Sequence, residues 1–469
     1  MKNFTRNKIL LTVLSFFFVM SVMAQGSDGS SNQDQKKAKT KDKTQKHEEQ
    51  IKKGWNIGPL PVISFDSDLG FQYGGLVDFY NYGDGKDYPN YRQSLYMEVS
   101  QYTKKSGIYR INYDTKDLIK GHRVFIDLSY LPDQAYGFYG FNGYNSVYNS
   151  TWVTTNDAAY KTRMFYRYQR KFFRTKIDFM GYFKSNKKFH WIVGAGLYDI
   201  KVAPVDLSIL NKGKSGSDVL PDVPGLYDLY VQNGVIPQSQ MSGGTFTVLK
   251  GALEYDSRDN EGNPNKGMWT ELVLAYAPKF LSNMDNGFLK LSVTHRQYFT
   301  IVPNRLTFAY RLGAQFNIGG ETPFYAMPLL FYARSTKAYN EGLGGSANLR
   351  GVMRNRVIGD GVAYGNLEFR WKFVKFHFIN QNFYLALSTF LDSGTVLQNA
   401  PITAGNGAFL TDASYFKNNG TGADGLHSSA GLGFHIAMNQ NFIIAVDHGQ
   451  ALNAQDGTSG TYVGLNFLF

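Results

Sequence analysis

Residues 363–373 read Ala-Tyr-Gly-Asn-Leu-Glu-Phe-Arg-Trp-Lys-Phe, and the fold turns on how these positions are read. Side chains two apart share one face of a strand. Ala363, Gly365, Leu367, Phe369, Trp371 and Phe373 make a greasy face, and Tyr364, Asn366, Glu368, Arg370 and Lys372 a polar one. A single strand of this kind is ambiguous, because a soluble sheet also hides one apolar face. The same division recurs in Ala430, Leu432, Phe434, Ile436 and Met438 against Gly431, Gly433, His435 and Ala437. It returns in Val463, Leu465, Phe467 and Phe469 against Tyr462, Gly464, Asn466 and Leu468. Earlier examples are Leu95, Met97 and Val99, and then Val124, Ile126, Leu128 and Tyr130 opposite Asp127 and Ser129. In lipid the greasy side faces outward, the polar side lines a lumen, and closure removes every unpaired edge.

Working outward, about sixteen such segments fit between Pro61 and Phe469, the even number of a single-chain bacterial barrel with both termini in the periplasm. Long connections fall near Leu131–Lys161, Leu207–Gly244, Gly319–Gly361 and Val396–Leu426. Tight ones fall near Ser185–Lys188, Pro303–Asn304, Asn380–Asn382 and Asn439–Asn441. Long outer loops alternating with short periplasmic turns are the outer-membrane pattern. The fold expected is all-β: a transmembrane, antiparallel, up-and-down β-barrel over residues 55–469. Tyr and Phe at segment ends suit the interfacial girdles.

Upstream, Lys2, Arg6 and Lys8 precede the apolar run Ile9–Met20, and Val22-Met23-Ala24 offers a small-x-small cleavage site. Residues 1–24 therefore read as a signal peptide. Residues 25–54, rich in Ser, Gln, Lys, Asp and Thr, read as a disordered polar periplasmic linker. The formal charge is +12, but Lys2, Arg6 and Lys8 leave with the signal and Gly26–Lys53 holds eight Lys against five Asp/Glu. The remaining excess is scattered, without the basic stripe that nucleic acid requires. Cysteine is absent, which excludes a lipidated cysteine, disulfides and thiolate chemistry. No later window has the roughly 18 uninterrupted apolar residues of a helical span.

The stretch Gly344–Lys372, GGSANLRGVMRNRVIGDGVAYGNLEFRWK, resembles the barrel of the Bam/Tam assembly-factor superfamily, also called the bacterial surface antigen family. Leu349, Arg350, Gly351 and Val352 match its V-R-G-[FY] loop motif, with the Arg-Gly pair kept and both flanks changed. Phe390-Leu391-Asp392-Ser393-Gly394 is similar to its F-x-D-x-G strand. Tyr255-Asp256-Ser257-Arg258-Asp259, followed by Pro264 and Gly267, is similar to its Y-D-x-R-D turn. Phe469 ends a run similar to the signal read by the outer-membrane assembly machinery. The resemblance covers residues 55–469 and implies that the long loop folds into the lumen, where Arg350 pairs with Glu368 and Asp392. A guanidinium fork suits two carboxylates. The family's members that insert or secrete proteins usually carry periplasmic POTRA modules before the barrel, and residues 26–53 are too short and polar for one.

No catalytic constellation is legible. Asp447 and His448 are adjacent on a strand and face opposite sides, so they form no local dyad. His435 points toward the lumen without a legible partner. Gly213-Lys214-Ser215-Gly216 lacks the spacing and context of a phosphate loop, and Asp256, Arg258 and Asp259 alternate in sign, as in a charge-paired turn more than a cation site. Neither cofactor nor metal is implied, and no enzyme. The expected function is insertion, assembly or translocation of outer-membrane proteins, by bilayer perturbation and strand exchange at the seam between first and last strands. The alternative is a pore or uptake channel plugged by the long loop. Expected partners are outer-membrane lipids, the assembly machinery during biogenesis, and a periplasmic protein replacing the missing modules.

Overall fold

The period-two alternation becomes sixteen strands in a computed structural model that describes residues 51–66, 69–334, 342–378, 381–403, 407–439 and 442–469. The expected signal peptide lies outside the described residues, as does the linker up to residue 50. The strands are β1 (Trp55–Asp66), β2 (Gly70–Asn81), β3 (Gln93–Tyr102), β4 (Gly107–Ile119), β5 (His122–Gly137) and β6 (Arg167–Phe183). Then follow β7 (Asn186–Ala203), β8 (Gly243–Asp256), β9 (Gly267–Ala277), β10 (Phe288–Val302) and β11 (Leu306–Gly320). The last are β12 (Gly361–Phe378), β13 (Gln381–Gln398), β14 (His427–Met438), β15 (Phe442–Ala451) and β16 (Ser459–Leu465). Each pairs antiparallel with the next, in unbroken order from β1 to β16. No ladder joins β1 to β16 among the described residues. The two ends of the sheet nevertheless meet, because a Cβ on Gly58 of β1 would stand 3.5 Å from the Phe442 ring of β15.

The faces are inside out relative to a soluble sheet. On β12, Leu367, Phe369 and Trp371 are exposed, whereas Asn366, Glu368 and Arg370 are buried. Val99, Leu128, Val193, Leu253, Leu272, Leu312 and Leu432 continue the apolar exterior around the wall. Among the described residues no helix is long and apolar enough to cross a membrane.

Two expectations about the alternation need correction. Val124 is fully buried although its neighbours Leu128 and Tyr130 are exposed. Phe467 and Phe469 do not continue the lipid face of β16, since both turn inward and are buried. The cause is local: Asn466 adopts φ 67°, a left-handed conformation that Asn tolerates and that breaks the extended repeat. Phe467 then packs on His435, with centroids 4.4 Å apart, and Phe469 on Tyr298 at 6.3 Å. Arg370 donates to the Phe469 carbonyl at 2.8 Å.

The connections that follow odd-numbered strands share one end of the barrel, and four are long: 138–166, 204–242, 321–360 and 399–426. They fold over the mouth as an aromatic cap. Phe138, Phe141, Tyr168, Tyr230 and Phe416 are buried in it, and the Phe138 and Tyr230 rings meet edge to face at 5.4 Å. The 321–360 connection also enters the lumen from this end.

Candidate functional site

The loop motif is held in place by backbone chemistry before any charge is counted. Asn348 accepts from Gly344 N at 2.7 Å and from its neighbour Leu349 N at 2.9 Å, and donates to Gly342 O at 2.6 Å. This closes a tight turn. Leu349 and Val352 then sink into an apolar cluster with Leu343, Val357, Val362 and Val396, so the residue standing where the motif has an aromatic is packed between the loop and the β12–β13 wall. Gly351 has φ 100°. A Cβ there would lie 2.6 Å from the Gly449 carbonyl carbon, and one on Gly449 would lie 2.4 Å from the Arg350 carbonyl oxygen. Two facing glycines thus let loop backbone rest directly on β15, and Gly351 N donates to the Tyr462 hydroxyl of β16 at 3.0 Å.

That seating delivers Arg350 to a group of carboxylates. Its Nε donates to Asp392 Oδ2 at 2.9 Å and its Nη2 to Asp392 Oδ1 at 3.1 Å, a fork-to-fork pair. The Arg350 backbone N also donates to Asp392 Oδ2, at 3.0 Å. Nη1 donates to Asp447 Oδ2 at 3.1 Å. Glu368 lies 3.6 Å from Nη2, an ion-pair contact beyond hydrogen-bond length, and Arg370 approaches its other oxygen at 3.4 Å. The guanidinium lies over Phe390, 3.5 Å from the ring centroid. Burial works to discharge Arg350, but Asp392, Glu368 and Asp447 outweigh it and hold the group protonated above the ordinary arginine value.

Of the two carboxylates expected for Arg350, Asp392 takes the fork and Glu368 sits beside it. Asp447, adjacent in sequence to His448, is a third carboxylate at Arg350 that the sequence does not single out. Its inward direction was legible from the period of two, since Ala445 and Asp447 are both buried while Val446 is exposed. His435 also has its neighbour here, with Nε2 3.4 Å from Asp447 Oδ1.

A second anchor, not anticipated from sequence, holds the same loop beside the 257–266 turn. Arg334 donates through Nε to Glu254 Oε2 at 2.7 Å and through Nη2 to Asp256 Oδ2 at 2.9 Å. Nη2 also donates to Glu254 Oε1. Arg334 Nη1 stands 3.4 Å from Glu261 on the 257–266 turn. Glu261 in turn accepts from Arg123 at 3.0 and 3.1 Å, and Arg123 forks onto Asp114, with both bonds at 2.7 Å. Burial pushes the Glu261 carboxyl up, but Arg123, Arg334 and Lys116 more than offset this and keep it well below the ordinary glutamate value.

The turn motif divides its labour around this anchor. Asp256 faces inward, receiving Arg334 and also Arg258 at 2.8 Å. Asp259 accepts from Asn265 N at 2.9 Å and Lys266 N at 3.3 Å, which closes the turn. Tyr255 lies against Phe189, ring centroids 4.8 Å apart. Among the described residues no group of His, Asp and Glu is arranged to hold a metal ion.

The Omp85 superfamily domain matches residues 137–469. No curated protein matches the chain in sequence. BamA from Haemophilus ducreyi lacking POTRA domains 1–3 is a structural neighbour at 13% identity and TM-score 0.50, with 88% of this chain and 70% of that one covered. CdiB from Escherichia coli is similar at 13% identity and TM-score 0.51, with 87% of this chain covered. The chain spans 61% of that CdiB chain, less than two thirds of its length. At such identities the likeness is one of fold.

Proposed function

This chain belongs to the Omp85 superfamily, and from that premise we propose that its outer-membrane barrel inserts or translocates polypeptides at the seam between β1 and β16. The observation that carries the reading is the seating of the lumen loop. Arg350 is bonded to β13 and β15, and Gly351 to β16. The loop therefore braces the wall beside the seam, where the described ladders stop.

The seam is also thin. β16 has seven residues and β12 eighteen, whereas a tilted strand needs about 9–11 to cross the hydrocarbon core. A short apolar belt is accommodated by thinning the bilayer next to it. In this reading Arg350, Glu368 and Asp392 pin the loop, Asp256 receives Arg334 at its second tie while Tyr255, Arg258 and Asp259 shape the turn beside it, and outer-membrane lipids are the immediate partner. A periplasmic protein that hands over clients is the expected second partner.

A specific observation favours the rival channel reading: one loop occupies the lumen from the capped mouth down to Arg334 at Asp256 and Glu261. Such a loop is also a plug. Reconstitution decides between the two. Faster folding of a test barrel in vesicles holding this protein, with little ion conductance, is expected. Steady conductance without any acceleration would sink insertion and leave the pore.

A further inference from the structure

We propose that an incoming strand at this seam pairs with β16 and not with β1. The inference rests on the reading above, that strands are exchanged there, and it names the edge that receives them.

Along a strand, backbone N–H and C=O groups point alternately to the two neighbours. On β1 the even-numbered residues face β2. Tyr82 N donates to Gly54 O at 2.9 Å and Gly54 N to Gly83 O at 2.8 Å. The Leu60 carbonyl is 3.7 Å from the position of a Cβ on Gly75, and the Asp78 carbonyl 3.7 Å from one on Gly58. Both distances require Gly58 and Leu60 to share a ladder with β2. The register agrees, with Gly58 opposite Asp78 and Leu60 opposite Leu76. On the far side of β2 the odd residues face β3, as Thr103 N bonding to Phe71 O shows.

The odd residues of β1 therefore face the seam: Trp55, Ile57, Pro59, Pro61, Ile63 and Phe65. Proline has no N–H, which is why it is confined to sheet edges. Between Ile57 and Ile63, about 20 Å of strand at the usual rise, the edge offers no donor at all. Its carbonyls remain, so a partner could donate to them but would leave its own carbonyls unpaired in the membrane, where an unmet polar group is costly.

The other edge is intact. Asn466 N donates to Ile443 O and Ala451 N to Thr458 O, so the even residues of this segment face β15. Ser459, Thr461, Val463 and Leu465 face the seam. Over the same strand length as Ile57–Ile63, both inner positions, Thr461 and Val463, carry donors. Val463 is exposed on the lipid side. The occupant that suits this edge is an extended, alternately apolar segment of another membrane barrel, added antiparallel by main-chain bonding. Prolines on β1 are then edge protection, a device that blocks pairing on one side of the gap.

The test uses the whole chain in dilauroyl-phosphatidylcholine vesicles, with a photo-crosslinking residue placed singly at Ile57, Ile63, Thr461 or Val463. The probe is an eight-stranded outer-membrane barrel folding from urea. Crosslinks from Thr461 and Val463 should exceed those from Ile57 and Ile63 roughly tenfold or more, the effect of two missing hydrogen bonds. Replacing both prolines, Pro59→Val with Pro61→Val, should raise the β1 crosslinks toward the β16 level. Equal crosslinking of both edges in the parent, no change on replacing the prolines, or no crosslink at either edge would overturn the inference. The probe's folding rate is followed in the same vesicles. Acceleration without crosslinks to β16 defeats the edge assignment alone, whereas β16 crosslinks without acceleration defeat the insertion reading alone.

Discussion

Arg350 shows how much one side chain can decide when its neighbours share a sign. Arg350→Ala would leave Asp392, Glu368 and Asp447 facing one another in the lumen. Removing one member of a buried ionic cluster commonly costs about 3–5 kcal/mol. The loop should leave its seat more often, so proteolysis from the loop side should speed up and conductance should rise. Arg350→Lys should rescue only part of this, because an ammonium cannot fork onto Asp392. If both variants digest and conduct like the parent, the carboxylate cluster does not hold the loop. Gly351→Ala tests the same seat without touching charge. Its Cβ would collide with Gly449, at 2.6 Å from the carbonyl carbon, and the strained φ would add to the cost. Equal loosening in Gly351→Ala and Arg350→Ala would show that backbone contact and ion pairs act as one latch. A parent-like Gly351→Ala would confine the latch to the ion pairs.

At the scale of elements, the connection between β11 and β12 is tied at two places, and its tie beside the 257–266 turn should depend on pH in a definite direction. Glu261 is held below its ordinary value by Arg123, Arg334 and Lys116 against the opposing effect of burial. Its folded value is thus depressed relative to the unfolded chain. The stabilisation is present above the unfolded glutamate value of about 4.3 and is lost as pH falls through the depressed folded value. Protease accessibility of the 257–266 turn should therefore stay low at pH 5 and increase only in stronger acid. Glu261→Gln should be looser than the parent at pH 7 and converge with it in acid. Parent and variant behaving alike at neutral pH would remove Glu261 from the anchor. Period-two reading could not reveal this tie, because Arg334 lies 80 residues along the chain from Glu254 and 73 from Glu261. Only the path of the loop brings them together.

For the molecule as a whole, the inward turn at Asn466 changes what the last residue is expected to do. Phe469 is buried against Tyr298 of β10 and bonded by Arg370 of β12, so it fastens the final segment across the lumen. Phe469→Ala should lower the heat-modifiable folded fraction in membranes and also lower the stability of barrels already folded. A fall in yield with unchanged stability would make the residue an assembly signal alone, and no change in either would remove it from both roles. Sequence by itself determined the wall: strand number, the apolar exterior, the end that carries the longest connections, and the inward parity of Glu368. All of these follow from a period of two, which is local and survives without knowledge of neighbours. Tertiary structure decided the interior. Asp447 beside Arg350, Arg334 at Glu254, and Gly351 against Gly449 depend on how far a loop descends and on the curvature that turns distant strands toward one point, and no local repeat encodes either.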